Sequence, residues 1–424
     1  MKVSVTDLSA CRRSVSVELE PAVIEQEYEK AFREFAKGIR LDGFRRGKVP
    51  KHVVEQRFGK EIEKEVVEHL IRDYSASALE ESGLNPLHSP VLKDYKFGRT
   101  TGLSFITEFE VRPKIEVAGY RGLKVARREV EVKDSDVAAA LEDLRERAAR
   151  FEAIEGRGVA AGDYLLADVS GRVDGEGSEP FKNDDVFFET GSAGPHPELT
   201  DELRGMRPGE ERSFGVKYPQ DHPTASLAGN RIVYQVKLKE IKEKHLPALD
   251  DDFARTVGST ESLDRFREHV RDDLLKVATL RERDEARRHA LDQILEANGA
   301  VEVPQTLVED QIEGEIEQAV RSMVSQGIDP RNAAVDWDEI RKENAEPARR
   351  FVRGMLLLDA IADQEKLETT PEDLTAAFER EAVRRKQSAE VVRARLEKDG
   401  GVESLKRQIL REKVLDFLLS PANI

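Results

Sequence analysis

The chain changes its hydrophobic period near Pro247, and this change constrains the fold more than any other feature of the sequence. Before that point, several runs alternate apolar and polar residues as half-buried strands do, with Gly and Pro between them. After it, apolar residues recur every three to five positions, as on one helix face, for example at Leu307, Ile312 and Ile316. A chain of 424 residues also exceeds what one core usually serves. We therefore predict a multidomain α+β protein.

Composition and periodicity together suggest where the domains begin and end. Val15, Val17 and Leu19 alternate as in a strand, Pro21 suits the first turn of the next helix, and Gly38 suits its end. We predict four segments: an α+β domain at 1–112, a linker with a short extended stretch and a polar helix at 113–156, a bent β-sheet domain with one short helix at 157–244, and an all-helical domain with arms at 245–424. Within the last segment we expect three prolines, Pro304, Pro347 and Pro371, to separate helices.

Several kinds of functional site have no signature in the sequence. The single cysteine, Cys11, excludes an internal disulfide and a thiolate metal cluster, and it fits a reducing compartment. The first residues lack the apolar core of a signal peptide, and no apolar run is long enough to span a bilayer. Phosphate-binding GxxxxGK[ST], HExxH and Cys–His metal spacings do not occur. We expect a cytosolic protein that requires no cofactor and no metal and that does not bind membranes.

Basic residues are concentrated in one short segment of an acidic chain. The formal net charge is −16, yet residues 30–60 contain ten Lys and Arg against three acids, a local balance of +7. The rest of the chain therefore carries −23. A basic edge on an acidic body is typical of a protein that docks on a phosphate-rich or acidic surface. A solvated basic helix face without a partner explains the charge equally well, so charge alone leaves both interpretations open.

The stretch GFRRGKVP at residues 43–50 lies within this basic segment. Gly43 and Gly47 permit backbone conformations that are closed to other residues, and Pro50 suits the first turn of a following helix. The loop tip would then present one aromatic and three basic side chains: Phe44, Arg45, Arg46 and Lys48. Arginine suits phosphate and carboxylate, and an exposed aromatic ring can stack on a base or fill a pocket. The alternative is an ordinary helix–helix turn whose charges serve solubility.

This stretch resembles the ribosome-docking signature GFRxGKxP of the trigger factor family, and every fixed position is matched: Gly43, Phe44, Arg45, Gly47, Lys48 and Pro50. The resemblance extends along the chain as a ribosome-binding domain, an FKBP-like domain and a helical C-terminal domain. It implies an ATP-independent chaperone that binds nascent and unfolded polypeptides and assists their folding, and as an extension their export. The implied docking partner is the exit site of the large ribosomal subunit, with its ribosomal RNA and an exit-site protein. A homodimer off the ribosome is left open.

The middle domain resembles an FKBP-type peptidyl-prolyl isomerase through GDYLLADVSGRVDG, GMRPGEERSF and YPQDHPTASLAGN. The resemblance implies a prolyl pocket at six positions: Val169, Val186, His196, Leu199, His222 and Tyr234. Only Tyr234 keeps an aromatic ring of the family pattern, and Phe187 and Phe188 should point to opposite faces of their strand. Such a pocket accelerates rotation about an X–Pro bond by binding the twisted amide, without an acid, a base or a metal. Because most aromatic residues of the family's pocket are missing, two interpretations of this domain remain open: an isomerase, or a spacer that binds unfolded segments loosely.

The helical C-terminal domain indicates the chaperone activity. Many of its residues are charged, and Trp337 is its only tryptophan, so we expect long helices that leave modest apolar patches rimmed by charge. Several weak patches on one scaffold gain affinity through multivalency. Two other functions remain open from the sequence: a protein that acts primarily as a prolyl isomerase, and an RNA-binding protein that uses the basic segment on free RNA.

Overall fold

The computed structural model describes residues 1–38, 49–125, 128–173, 180–191, 201–220, 229–331 and 335–420. The chain divides into two compact units, residues 1–127 with 283–424 and residues 128–282. None of the helices in these described ranges is both long and apolar enough to cross a membrane. The four segment boundaries drawn from composition stay a prediction.

The N-terminal part of the first unit is a four-stranded antiparallel sheet packed against two helices. Its elements are β1 (Lys2–Asp7), β2 (Arg12–Leu19), α1 (Pro21–Gly38), α2 (Lys51–Ser82), β3 (Val91–Gly98) and β4 (Gly102–Glu110). The strand order is β1-β2-β4-β3. Alternate residues of β2 and β4, such as Val17 and its partner Phe105, face a core that includes Tyr28 and Ile62. The predicted strand at β2 and the helix start at Pro21 are confirmed, and Gly83 ends α2 in the left-handed conformation.

The second unit is built on a five-stranded antiparallel sheet. Its elements are α3 (Asp134–Arg147), β5 (Arg150–Ala153), β6 (Tyr164–Val173), β7 (Phe181–Glu189), β8 (Glu211–Lys217), β9 (Arg231–His245) and α4 (Asp251–Gly258), together with the first part of α5 (Leu263–Ala297). The strand order is β5-β9-β6-β7, and β8 pairs with β9. Register shifts at Ala167 on both sides of β6 bend the sheet, as a β-bulge does.

Long helices form the rest of the first unit. After α5 follow α6 (Gln305–Ser325), α7 (Trp337–Glu365), α8 (Pro371–Arg385), α9 (Ala389–Lys398) and α10 (Val402–Leu418). Pro304 and Pro371 stand at helix starts, as predicted. The prediction for Pro347 is wrong, because this proline lies inside α7. The helix continues through it because Ala348 and Val352 are fully buried in one core with Val308 and Ile312, and this packing outweighs the local cost of proline.

The extended stretch before α3 is part of a core. Val117 and Leu123 are buried with Ile294 of α5 and Leu357 of α7. The side chain of Asn298 accepts a hydrogen bond from the N–H of Ala118 at 3.0 Å and donates one to its carbonyl at 2.9 Å. A residue predicted as linker is thus held as firmly as a strand residue, since both of its backbone polar groups are paired. Further along, α3 buries Val137 and Leu141 in the second unit.

Candidate functional site

The two helices that flank the docking signature are well anchored. Gly43, Phe44, Arg45, Arg46, Gly47 and Lys48 lie outside the described residues. Pro50 is described, and it immediately precedes Lys51, where α2 begins. Val49 packs against the N-terminal core, and the rings of Phe35 on α1 and Phe58 on α2 lie 5.5 Å apart. The signature therefore connects two helices whose facing ends are held together by apolar contacts.

Two charged contacts strengthen this anchorage. The ammonium group of Lys51 donates to the carboxylate of Glu29 across the two helices, and it also lies 5.5 Å from the centroid of the Phe32 ring. This hydrogen bond raises the pKa of Lys51 and lowers the pKa of Glu29, because each charge favours the other. The guanidinium of Arg99, in the β3–β4 turn, lies 3.8 Å from the Tyr28 ring centroid and pairs with Glu25 at 2.9 Å.

The described part of the basic segment presents its charges to solvent. All six of its described basic side chains are exposed: Lys30, Arg33, Lys37, Lys51, Arg57 and Lys60. Lys30 forms only a loose pair with Glu27 at 3.5 Å, and the Arg33 guanidinium donates to the backbone carbonyl of Glu29. Exposed pairs of this kind contribute little to stability, so these charges remain accessible to a partner. Exposed basic side chains therefore stand on both helices close to the signature.

Three of the six predicted prolyl-pocket residues lie on one face of the five-stranded sheet. Val169 on β6, Val186 on β7 and Tyr234 on β9 all contribute to the core-facing side. His196, Leu199 and His222 lie outside the described residues. The pocket that the family resemblance implies thus has one described wall, and the assignment of all six residues stays a prediction.

The sequence interpretation missed three aromatic residues around Tyr234. The hydroxyl groups of Tyr218 and Tyr234 are hydrogen bonded at 2.7 Å, and the Phe214 ring lies 6.0 Å from the Tyr234 ring. The Phe181 ring, also 6.0 Å from Tyr234, lies over Gly171, where an added methyl group would approach it to 2.4 Å. Alternation along β8 could have placed Phe214 on this face. The contact of Phe181 on β7 with Tyr234 on β9 could not be read from the sequence, because it depends on the register of the sheet. The wall is therefore more aromatic than the six positions indicated.

Phe187 and Phe188 occupy opposite faces, as predicted. Phe188 is buried in the core beneath the five-stranded sheet, whereas Phe187 is 44% exposed. Phe187 contacts Phe151 and Tyr164, which share its face of the sheet.

A buried carboxylate organises the start of β6. Asp163 accepts two hydrogen bonds from the Arg157 guanidinium, at 2.6 and 2.7 Å, and one from the Ala160 N–H at 2.8 Å. Burial by itself raises the pKa of the Asp163 carboxyl, but these hydrogen bonds outweigh it, so the pKa is lowered. The hydroxyl of Thr190, just after β7, donates to the carbonyl oxygens of Ala160 and Asp163. This network fixes the two ends of β6 and β7 that lie next to each other.

The helices of the first unit expose scattered apolar side chains. Those of Val324, Phe351, Val383 and Val391 are all exposed by about half or more. A groove of about 490 Å³ between α8 and α9 is lined by apolar residues such as Leu374 and Phe378 and by the charged residues Glu390, Arg393 and Glu397. Small apolar areas bordered by charge are suited to weak contacts with many sequences.

Comparison with known proteins identifies the family. Residues 1–144 match the family model described as bacterial trigger factor protein, and residues 262–420 match the model of its C-terminus. The trigger factor of Solibacter usitatus is 31% identical over 98% of both chains, and that of an Anaeromyxobacter species is 34% identical over 100% of this chain and 99% of its own. The chain belongs to the trigger factor family. The predicted ribosome-associated chaperone is thereby confirmed, whereas isomerase activity in this trigger factor homologue is not.

A solved structure shares the fold. It is described as showing promiscuous substrate recognition in folding and assembly activities of the trigger factor chaperone. The superposition covers 100% of both chains, with a TM-score of 0.57 and 20% sequence identity. The predicted multidomain α+β architecture with a helical C-terminal region is confirmed by this match and by the trigger factor family models.

Proposed function

We propose that this chain docks at the nascent-chain exit of the large ribosomal subunit through Phe44, Arg45, Arg46 and Lys48. The support is the matched signature together with its anchored base: Phe35 packs on Phe58, and Lys51 pairs with Glu29. A loop whose two ends are held loses less conformational entropy on docking than a free one. The arginines and the lysine suit RNA phosphates and the carboxylates of an exit-site protein.

Once docked, the protein shields apolar segments of emerging chains without ATP. The exposed apolar residues on the helices and the groove between α8 and α9 support this role, because several weak contacts on one chain add up to useful affinity. The proposal places this activity in the cytosol. It includes a homodimer off the ribosome, to be checked by sedimentation velocity of the free protein.

Co-sedimentation with ribosomes tests the docking proposal. We expect the triple variant Phe44→Ala, Arg45→Ala and Lys48→Ala to bind at least about tenfold more weakly, because it loses charge-assisted hydrogen bonds and an aromatic contact. A matched control removes the same residue types elsewhere, at Phe351, Arg321 and Lys398, all of which are exposed. Undiminished binding by the loop variant would refute the proposal. Tight, salt-sensitive binding to naked ribosomal RNA alone would favour an RNA-binding protein instead.

Prolyl isomerisation is a second candidate function. The observation that favours it is the wall of Val169, Val186 and Tyr234 with three additional aromatic rings around Tyr234. A proline-limited refolding reaction, which takes about 10–100 s without catalysis, measures the activity. We expect the full chain to accelerate it and Tyr234→Ala to abolish the acceleration, while Tyr95→Ala, at an exposed tyrosine on β3, leaves it unchanged. A wild-type rate equal to that in buffer would exclude catalysis and leave the spacer interpretation.

A further inference from the structure

The outer face of the five-stranded sheet carries three aromatic rings in mutual contact. The ring centroids of Phe151 and Tyr164 are 4.7 Å apart, those of Phe151 and Phe187 are 5.0 Å apart, and those of Tyr164 and Phe187 are 5.5 Å apart. Phe151 is 38% exposed and Phe187 is 44% exposed. The hydrophobic core of this sheet lies on the opposite face, where Leu165 and Phe188 are buried. We call these three residues the outer aromatic cluster; the solvent face of such a sheet is usually polar.

The two lysines near the cluster are paired with carboxylates. Lys244, whose ammonium lies 5.9 Å from the Tyr164 ring centroid, pairs with Glu146. Lys242 pairs with Glu240 at 3.0 Å, and the Tyr164 hydroxyl donates to Glu189 at 2.8 Å. The two lysines therefore offer little free positive charge to an anionic partner. The surface is suited to an apolar partner of low charge.

The neighbouring edge strand is protected over only half of its length. In the described part of the chain, β7 pairs with β6 alone. Its first half carries Lys182, Asp184 and Asp185, and Asp185 has a positive φ of 57° beside a register shift. The backbone N–H of Asp185 donates to the carboxylate of Asp168, and the ammonium group of Lys239 pairs with the carboxylates of Asp168 and Asp185. Charges and bulges of this kind deter the addition of another strand.

The second half of β7 has less of this protection. Residues 186–189 pair regularly with residues 164–167 without a bulge, and their one charged residue is Glu189, whose carboxylate accepts a hydrogen bond from Tyr164. Phe187 belongs to this half and also to the outer aromatic cluster. A strand added at this edge would place every second side chain on the outer face, opposite or diagonal to Phe187.

We propose that residues 186–189 accept an extended segment of unfolded polypeptide by β-strand addition, with alternate aromatic or aliphatic side chains of that segment packed on the outer aromatic cluster. The inference rests on the proposed chaperone function, which supplies unfolded chains as partners. The surface lies on the face of the sheet opposite to Tyr234, so a bound segment does not need a proline. Backbone hydrogen bonds would provide sequence tolerance, and the cluster would provide the preference for apolar residues at alternate positions.

Binding of two labelled peptides to the full chain, followed by fluorescence anisotropy, tests the proposal. One peptide of about twelve residues has Phe or Val at every second position with Ser, Thr and Lys between them; the other has the same composition with helical spacing. We expect the double variant Phe151→Ser and Phe187→Ser to weaken binding of the alternating peptide about fivefold or more and that of the helical peptide less than about twofold. Lys182→Ser, on the protected half, and Tyr95→Ser, an exposed aromatic residue on β3, serve as controls and should leave both affinities unchanged.

A photo-cross-linking experiment covers the case in which the double variant misfolds. p-Benzoylphenylalanine in place of Phe187 should cross-link to the alternating peptide, and the same group in place of Lys182 should not. Absence of the cross-link at 187, or equal affinity of wild type and a folded double variant, would overturn the proposal. So would a dimer that Phe187→Ser dissociates, because a second copy would then occupy the edge. If the wild type fails to suppress aggregation of an unfolded protein, the chaperone function itself fails; if suppression persists without the cluster, only this inference fails.

Discussion

Replacing Asp163 with asparagine removes the charge of the most heavily bonded carboxylate at the start of β6. The wild-type side chain is only 7% exposed and accepts hydrogen bonds from both terminal nitrogens of Arg157 and from the Ala160 N–H. An asparagine keeps one acceptor oxygen but turns an amide N–H₂ toward a guanidinium that has no acceptor. We expect the turn before β6 and the end of β7 to open more readily, because the Thr190 network joins them.

The magnitude follows from the bonds that are lost. A hydrogen bond to a charged group contributes about 1.5–3 kcal/mol, and breaking a fully buried pair costs about 3–5 kcal/mol. Arg157 is 41% exposed, so water can solvate it once its partner is neutral. We therefore expect the free energy of local opening to fall by about 2–3 kcal/mol at neutral pH, which corresponds to amide exchange roughly 30- to 160-fold faster.

The difference between wild type and variant should depend on pH in a defined direction. The pKa of Asp163 is lowered from 3.8 in the folded protein, so its stabilisation is fully present above that value and is lost as the pH falls through the folded-state pKa. Asparagine does not titrate. Hydrogen–deuterium exchange with mass spectrometry should show a constant difference between about pH 5 and 8 and a shrinking one below about pH 3.8.

A matched control separates this network from ordinary surface charge. Asp201 pairs with Arg204 at 3.6 Å, and both side chains are largely exposed, so Asp201→Asn should change local stability by less than about 0.5 kcal/mol. Our reasoning is refuted if Asp163→Asn accelerates exchange by less than about threefold, or if the difference persists undiminished near pH 3.

Three further predictions concern the first unit. Cys11 is buried and its pKa is raised to about 12, chiefly by burial, so a thiol reagent at neutral pH should label it only in denaturant; rapid labelling of the native protein would contradict this. Gly102→Ala should lower the free energy of unfolding by about 1–3 kcal/mol, because φ is +104° at this position and the new methyl group would lie 2.5 Å from the Leu19 carbonyl oxygen. Gly314→Ala, in open space on α6, should instead raise the free energy of unfolding by about 0.5–1 kcal/mol. Urea unfolding measures both changes, and equal effects would refute the strain argument. Pro347→Ala should stabilise α7 by about 1–2 kcal/mol, since it restores a helix hydrogen bond, as read from Trp337 fluorescence in urea; a loss of stability would show that the packing needs the proline.

The sequence determined most of the element order by itself. Alternation identified β2, and helical spacing identified α6, because these patterns are set by which face of an element is buried. Pro21 marked a helix start through its backbone preference alone. The docking signature was likewise readable, since its Gly, Phe, Arg, Lys and Pro stand within eight consecutive residues. Features of this kind depend on neighbours a few positions away.

Only the tertiary structure decided the features that join distant residues. Pro347 stays inside a helix because its neighbour Ala348 is buried in a core with Val308 and Ile312, and local propensity carries no information about that core. The side chain of Asn298 is hydrogen bonded to the backbone of Ala118, 180 positions away, and the stretch around Ala118, which was predicted as part of a linker, belongs to a packed core. The outer aromatic cluster draws one ring from each of three strands, so it exists only once the register of the sheet is set. Contacts like these depend on the packing of whole elements, which no short stretch of sequence specifies.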